Sequence, residues 1–360
     1  MRVLILNGPN LNLLGTREPD VYGTETLADL EQAAVAWGED MGFEIETLQS
    51  NHEGTLIDAI QRSDIDGIVL NPAAYTHTSR AIAEAISAVS TPVVEVHISN
   101  IKEREGWRAE SLVSEVCSTT IYGRGISGYR DALRHLLNRA AIPFETVRYG
   151  PDPDQIGDLR RGGDNLAVIV HGGFWRSEWT KDTTESIAVD LTRHGFTTWN
   201  IEYRRLRVGG GWPVSGDDVL AALAFIPGLG IEPRRVVLFG HSAGGYLAMW
   251  AAQRSKINVD QIVALAPVVD LERHSRSQMF GHEEAQRLID SGAPKHLDPG
   301  AVQTLLVHGE SDRHLPFGHS AELAKSHGLE FLAAPTGHFE LLDPSREPWP
   351  RILEALTNMT

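Results

Sequence analysis

Apolar residues along this chain fall in short, nearly continuous runs separated by polar or helically spaced stretches. In the first part the runs are RVLILN, EIETLQS, GIVLNP, VVEVHIS and TTIYG, with helical patterns starting near Thr26, Thr55 and Thr78 and after the last run. That alternation predicts a parallel sheet covered by helices on both faces. A second series follows: FETVRYG, QIGDLRR, LAVIVHGG, TTWNIEY, RVVLFGHS, QIVALAP, QTLLVHGE and LEFLAAP. It predicts another doubly wound α/β sheet, its first two strands antiparallel. Between the series lies LLNRAAIPFETVRYG, residues 136–150. Tyr129, Leu133, Leu136 and Leu137 share a helix face and close the first series, while Pro143 blocks continuation into the strand FETVRYG. Two domains are expected, residues 1–140 and 144–360, joined by a connector of about five residues, too short to act as a free tether. They are expected to be held near one another.

Composition fits this division. A length of 360 residues with 42% hydrophobic content suits two packed cores better than one. There are 48 acidic and 32 basic residues, a net charge of −16, and acid exceeds base in both parts. Neither part is basic, which argues against nucleic-acid or anionic-membrane binding, both of which favour clustered Lys and Arg. Cys117 is the single cysteine and excludes an internal disulfide. The chain opens directly into an apolar strand without a cleavable leader, and no apolar run approaches the roughly 18 residues of a membrane span. A cytosolic protein is expected.

In sheets of this kind ligands bind beyond the carboxyl ends of the strands. The unusual residues of the first domain lie there: Asn10, Arg17 and Tyr22 after the first strand, residues 71–77 after the third, and Glu95, His97 and Ser99 on one face of the fourth. Glu95 beside His97 can orient an imidazole and balance its protonated form, which suits a general acid. The stretches NGPNLNLLGTREPDVYG, NHEGTLIDAI, LNPAAYTHTS, VVEVHISN and GRGISGY resemble type II 3-dehydroquinate dehydratases over nearly all of residues 1–140. The resemblance implies a flavodoxin-like fold, assembly into trimers packed as a dodecamer, and conversion of 3-dehydroquinate to 3-dehydroshikimate without metal or covalent intermediate. It also implies roles. Tyr22 matches the base that attacks the carbon beside the ketone, with Arg17 favouring its phenolate and steadying the enolate. His97 matches the acid that protonates the departing hydroxyl, supported by Asn10 and Glu95. Asn71, His77, Ile98 (through its backbone), Ser99 and Arg108 match the groups that hold the polyol and carboxylate. Where the family usually has Arg-Asp after the THTS segment, this chain has Ala83-Glu84; the acidic residue there contacts a neighbouring subunit, so Glu84 lengthens that contact by one methylene. Lys102 stands where His is common.

The second domain carries Gly240-His241-Ser242-Ala243-Gly244 between a strand and a helix, the G-x-S-x-G nucleophile elbow in its required context. Ser242 is the expected nucleophile, with the backbone N–H of Ala243 as one oxyanion donor. His171-Gly172-Gly173-Phe174-Trp175 follows the third strand of this series, where the remaining donors are expected, Gly173 and Phe174 first among them. Asp312 and His338 complete a triad in the order Ser, Asp, His, with Asp270 as runner-up acid and His241, His308 and His314 as weaker candidates for the base. The HGGFW, YGPDPDQIGDL and GHSAGG stretches make this domain similar to α/β-hydrolases of the kynurenine formamidase and carboxylesterase kind. GHEEAQRLI lacks the second His of a zinc motif and is expected to be a cap helix. Residues 206–213 and 271–299 are expected to shape the acyl pocket, and Arg204, Arg205 and Arg207 to offer a cation near Ser242.

The expectation is a bifunctional homo-oligomeric enzyme of two α/β domains. It acts on small molecules with no cofactor and no metal, and is either a dehydratase joined to a hydrolase of a quinate-type ester or arylformamide, or a hydrolase carried on an oligomerisation scaffold.

Overall fold

The computed structural model describes residues 1–357, and the chain divides into two compact units, Met1–Ala140 and Ala141–Thr360. In the first, five strands alternate with helices: β1 (Arg2–Asn7), α1 (Pro19–Tyr22), α2 (Leu27–Asp40), β2 (Glu44–Gln49), α3 (Glu53–Ile60), β3 (Gly67–Asn71), α4 (Arg80–Ser87), β4 (Val93–His97), β5 (Thr119–Tyr122) and α5 (Ser127–Ala141). All pairings are parallel, in the order β2-β1-β3-β4-β5. β1 shows why the run is apolar throughout. Val3 and Ile5 pack with Leu30, Ala34 and Leu133 on one face, while Leu4 and Leu6 pack with Leu56, Ile60 and Ile82 on the other. A strand buried on both faces has no position to spare for solvent.

Helix starts follow their caps. Thr26 accepts from the Asp29 amide and the Asp29 side chain returns the bond to the Thr26 backbone, so α2 begins where expected. α3 begins two residues before the expected Thr55. α4 takes its cap from Ser79, which accepts from Ile82 N at 2.8 Å, and a 3-10 turn at Ala73–His77 precedes it.

The second unit has eight strands: β6 (Glu145–Arg148), β7 (Ile156–Arg160), β8 (Asn165–Val170), β9 (Phe196–Ile201), β10 (Arg235–His241), β11 (Gln261–Leu265), β12 (Gln303–Gly309) and β13 (Glu330–Ala334). Their order is β13-β12-β11-β10-β8-β9-β7-β6, with β6 antiparallel to β7, β7 antiparallel to β9 and the others parallel. The helices are α6 (Glu185–Arg193), α7 (Val214–Phe225), α8 (Ala243–Ala252), α9 (Leu271–Ser275), α10 (His282–Asp290), α11 (Phe317–His327) and α12 (Trp349–Thr357). The GHEEAQRLI stretch forms the short helix α10. Again the two faces hold separate cores: Leu166, Val168 and Leu238 pack with α7 and α8, and Ala167, Ile169, Val237 and Phe239 pack with α6 and α12.

One close approach tests this packing. A Cβ at Gly157 in β7 would lie 2.4 Å from Nε1 and 3.0 Å from two carbons of Trp199, a ring with no exposed surface. Gly157→Ala is therefore expected to destabilise the second unit by about 1–3 kcal/mol through overpacking, read as a lower denaturant midpoint followed by tryptophan fluorescence.

Candidate active sites

The order β2-β1-β3-β4-β5 reverses the direction of winding between β1 and β3, and a cavity of about 550 Å³ opens beyond the ends of β1, β3 and β4. Asn10, Arg17, Tyr22, Asn71, His77, His97, Ile98, Ser99 and Arg108 all line it, so one pocket gathers nine residues singled out from the sequence. Glu95 lies beneath it and Glu84 elsewhere. Glu84 is exposed on α4 and contributes nothing to this chain's own cavity.

Glu95 is completely buried in β4. Its carboxylate meets His97 Nε2 at 2.8 Å and accepts from the hydroxyls of Ser111 at 2.9 Å, Thr120 at 3.0 Å and Thr76. Burial opposes the charge, yet the His97 contact and the hydroxyl bonds outweigh it and hold the carboxyl below its ordinary value. An ionised Glu95 is a ready counter-ion for an imidazolium at His97. His77 is held by a 2.5 Å contact to the Glu110 carbonyl and by the edge of Trp107; burial lowers its proton affinity.

Tyr22 differs from expectation in its partner. Arg17 lies over the face of the phenol ring, 5.4 Å from its centre, and its Nε pairs with Glu18 at 3.1 Å. The guanidinium on the phenol oxygen is that of Arg104, whose Nη2 donates to Tyr22 at 3.1 Å and to Ser99 Oγ at 2.7 Å. The sequence reading missed Arg104. The available signal was its place in the same loop as Ser99 and Arg108, both of which had been singled out.

In the second unit, Gly240 pairs with Val170 across β10 and β8, which brings the turn after β10 against the HGGFW loop after β8. Ser242 sits in that turn at φ 54°, ψ −117°, 2% exposed. This backbone is strained for a side-chain-bearing residue, at a cost of order 1–3 kcal/mol, and its tight neighbours must be glycines. A Cβ on Gly244 would lie 2.0 Å from the Val170 carbonyl, and one on Gly172 would lie 2.9 Å from Ser242 Cβ. Ser242 accepts at its carbonyl from Gly245 and Tyr246, so Ala243 begins α8 with an N–H that has no carbonyl one turn back. Gly173, Phe174 and Trp175 all have positive φ, 104°, 51° and 58°. The HGGFW loop thus turns sharply beside the serine.

Asp312 and His338 meet: Asp312 Oδ2 lies 2.6 Å from His338 Nδ1, while Asp312 Oδ1 accepts from the amides of His314 at 2.7 Å and Leu315 at 2.9 Å. Burial opposes the charge on Asp312, but bonds from His308 and His338 hold its carboxyl well below the usual range. His241 packs its ring 4.6 Å from that of His338 and is held well below its ordinary value by burial, so it stays neutral beside the pair. Asp270, the runner-up acid, is used otherwise; it caps α9 through Arg273 N at 2.8 Å and pairs with His296.

Two of the arginines expected to serve Ser242 are committed elsewhere. Arg204 makes a two-pronged contact to buried Asp218, at 2.9 and 2.6 Å. Arg205 is buried between Glu202 and Asp154. Glu202 also meets His171 Nε2 at 2.7 Å; burial opposes its charge, but Arg205 and His171 bring its carboxyl down to about 2. These pairs brace the HGGFW loop from behind. Arg207 is exposed. Aromatic rings, by contrast, surround His338. Phe339 and His314 lie 5.2 Å from it, Phe280 stands edge-on to His314, and Phe280 and Phe339 are 39% and 38% exposed.

Fold and geometry together define a bifunctional chain: a flavodoxin-like unit with a polar pocket at its switch point and an α/β-hydrolase unit with an assembled nucleophile elbow. The Dehydroquinase class II family matches residues 1–137, and the BD-FAE family matches residues 160–326. "Catabolic 3-dehydroquinase 1" of Aspergillus terreus is 52% identical over 136 residues, 37% of this chain and 90% of that protein. "3-dehydroquinate dehydratase" of Bacillus licheniformis is 51% identical over 138 residues, 38% of this chain and 95% of that protein. Esterase B from Lactobacillus rhamnosis superposes with a TM-score of 0.52 at 18% identity, over 64% of this chain and 91% of that one, a likeness of fold. Through its first unit the chain belongs to the class II dehydroquinase family, and its second unit has the α/β-hydrolase fold.

The pocket's dependence on buried polar bonds can be tested at Tyr129. Its hydroxyl is fully buried, accepts from Asn71 Nδ2 at 2.8 Å and donates to Asn7 Oδ1 at 2.7 Å. Tyr129→Phe leaves both amides short of a partner, an expected cost of about 1–3 kcal/mol in urea denaturation. Because Asn71 lines the cavity, the KM of the first unit's reaction is expected to rise as well; unchanged stability would mean that both amides find other partners.

Proposed function

We propose that the first unit converts 3-dehydroquinate to 3-dehydroshikimate with Tyr22 as base and His97 as acid, and that the second hydrolyses an ester or amide through Ser242, His338 and Asp312. The observation that carries the first role is the Arg104 guanidinium on the Tyr22 oxygen, in the same cavity as His97, which Glu95 holds from beneath. The hydrogen bond from that guanidinium holds in place the oxygen that takes the proton from the carbon beside the ketone. The electron pair left behind forms an enolate. As it collapses, the C–O bond one carbon further on breaks and His97 gives its proton to the departing hydroxyl, which leaves as water. Arg17 on the ring face steadies the enolate and Asn10 and Glu95 support His97, while Asn71, His77, Ile98, Ser99 and Arg108 hold the polyol and carboxylate. These intact groups, together with relatives named for this activity, weigh against a mere scaffold.

In the second unit, His338 takes the proton of Ser242 as its oxygen attacks the acyl carbon, with Asp312 holding the imidazole in the required tautomer. The amides of Ala243, Gly173 and Phe174 receive the oxyanion. Collapse expels the alcohol or amine, protonated by His338, and water then releases the acid by the same route. The exposed rings of Phe280 and Phe339 beside His338 favour a substrate with an aromatic group, either an aryl ester of a quinate-type acid or an arylformamide. Such an ester would link the two chemistries by yielding a cyclohexane polyol acid of the kind the first unit handles. Arg204 and Arg205, bound in their ion pairs, give this reading no support.

Assembly and compartment complete the proposal. A trimer-based homo-oligomer in which Glu84 meets a neighbouring subunit is proposed, supported by the exposure of Glu84 on α4, and light scattering that returns a monomer would refute this. Among the described residues no helix is long and apolar enough to cross a membrane, and we place the protein in the cytosol.

The two sites are expected to separate cleanly by mutation. Tyr22→Phe removes ultraviolet-absorbing enone formation from 3-dehydroquinate by ~10²-fold or more and spares hydrolysis of short p-nitrophenyl esters. Ser242→Ala does the reverse and abolishes labelling by a fluorophosphonate probe; labelling that persists would remove Ser242 from its role. Comparison of kcat/KM for a caffeoylquinate ester, N-formylkynurenine and a plain aryl acetate decides the substrate. A quinate ester no better than the acetate rejects the linked chemistry.

A further inference from the structure

Asp312 serves two imidazoles, not one. Its Oδ2 lies 2.6 Å from His338 Nδ1 and 3.1 Å from Nε2 of His308, a fully buried residue on β12. On the other side of the His308 ring, Nδ1 is 2.8 Å from Oγ of Ser320, also fully buried, on α11. The tautomer follows from the partners. Two acceptors, the Asp312 carboxylate and the Leu315 carbonyl at 3.3 Å, face Nε2, so the proton sits there. A neutral ring must then accept at Nδ1, and the Ser320 hydroxyl supplies the hydrogen. The resulting line runs from Ser320 O–H to His308 Nδ1, then from His308 Nε2–H to Asp312 Oδ2, which also accepts from His338 Nδ1–H.

We propose that His308, locked in its Nε2–H tautomer by Ser320, is a positioning residue of the hydrolase site that fixes Asp312 and limits how much of its charge reaches His338. The proposal rests on the assignment of Ser242, His338 and Asp312 as the hydrolytic triad. Its physical basis is competition at one oxygen. With both Oδ1 bonds made by backbone amides, the carboxylate cannot rotate, and whatever density Oδ2 gives to His308 is withheld from His338. A carboxylate wholly devoted to His338 would hold the imidazolium too firmly, leaving less of the neutral base that the serine requires. Among the described residues, the other ionisable groups that interact with this line are His241, His274, His314 and His319, with Glu340 acting on His314, and none is altered by the variants below.

The experiment is the pH profile of kcat/KM for a p-nitrophenyl ester, measured on the full chain and its variants. His308→Leu removes the donor: kcat is expected to fall by ~10- to 100-fold, the usual cost of losing an outer orienting partner, with KM little changed. The acid limb should move up by roughly half a pH unit or more, because His338 keeps its proton longer. His308→Gln, whose side-chain N–H can reach the same oxygen but does not titrate, is expected to restore the limb and most of kcat. Ser320→Ala, which deletes one buried oxygen and is the least disruptive to folding, is expected to move the limb the same way by a smaller amount. The proposal is overturned if all three variants keep the wild-type limb, or if Gln falls as far as Leu. Labelling of the wild type by a fluorophosphonate probe keeps the two ideas apart. A wild type that labels while no limb moves refutes the His308 role alone, and one that never labels refutes the triad and this role with it.

Discussion

A parallel sheet buried on both faces leaves its strands nowhere to carry chemistry except their ends, and both units of this chain are built under that constraint. In β1, successive residues Val3 to Leu6 enter opposite cores, and β8 does the same with Leu166 to Ile169. No side chain of these segments faces water. Polar groups collect where the strands stop, and the strand order decides which ends lie together. In the first unit the reversal at β1 and β3 opens a pocket. In the second, the pairing of β8 with β10 sets the HGGFW loop beside Ser242, while β12 and β13 deliver Asp312 and His338. β4 is the exception that shows the cost: Glu95 lies inside the sheet only because His97 and three hydroxyls surround its carboxylate.

That constraint is also why so much was legible in the sequence. Two-sided burial turns a strand into an unbroken apolar run, so strand positions, the parallel sheets and the antiparallel start of the second sheet all follow from runs such as VLIL and LAVIV. Residues at strand ends could then be singled out, and seven of them line one cavity together with Ile98 and Arg108, which only the family resemblance had named. The nucleophile elbow was readable for a related reason, because its glycines are demanded by backbone contacts of 2.0–2.4 Å that any Cβ would make. Helix starts were read less well, since THTS offers several caps in a row and only packing selects Ser79.

What escaped the sequence are contacts between distant segments. Arg104 lies 82 positions from Tyr22, and Tyr129 lies 122 from Asn7. No local spacing encodes such pairs. Arg204 and Arg205 show the converse error. Sequence reveals that a residue is cationic and lies near a site, but not whether its charge is already matched. Buried Asp218 and Glu202 match both, and a matched, desolvated guanidinium cannot be lent to a substrate without stranding its carboxylate.

Each unit also contains a carboxylate bound to an imidazole, and the surroundings of the two carboxylates differ in a way that suits opposite proton tasks. Glu95 is held by hydroxyls, which can turn and redistribute their hydrogens as charge on the neighbouring His97 comes and goes. Such a shell tolerates an imidazolium that gives its proton to a departing hydroxyl, because the carboxylate stays satisfied when its counter-ion becomes neutral. Asp312 is held instead by two backbone amides that cannot turn, and its remaining oxygen is divided between His338 and His308. A rigid shell fixes the plane and tautomer of an imidazole that must begin neutral and aim at a serine. On the roles proposed for His97 and His338, the same pair of residue types is set toward acid or base by whether its second neighbours are hydroxyl rotors or fixed amides.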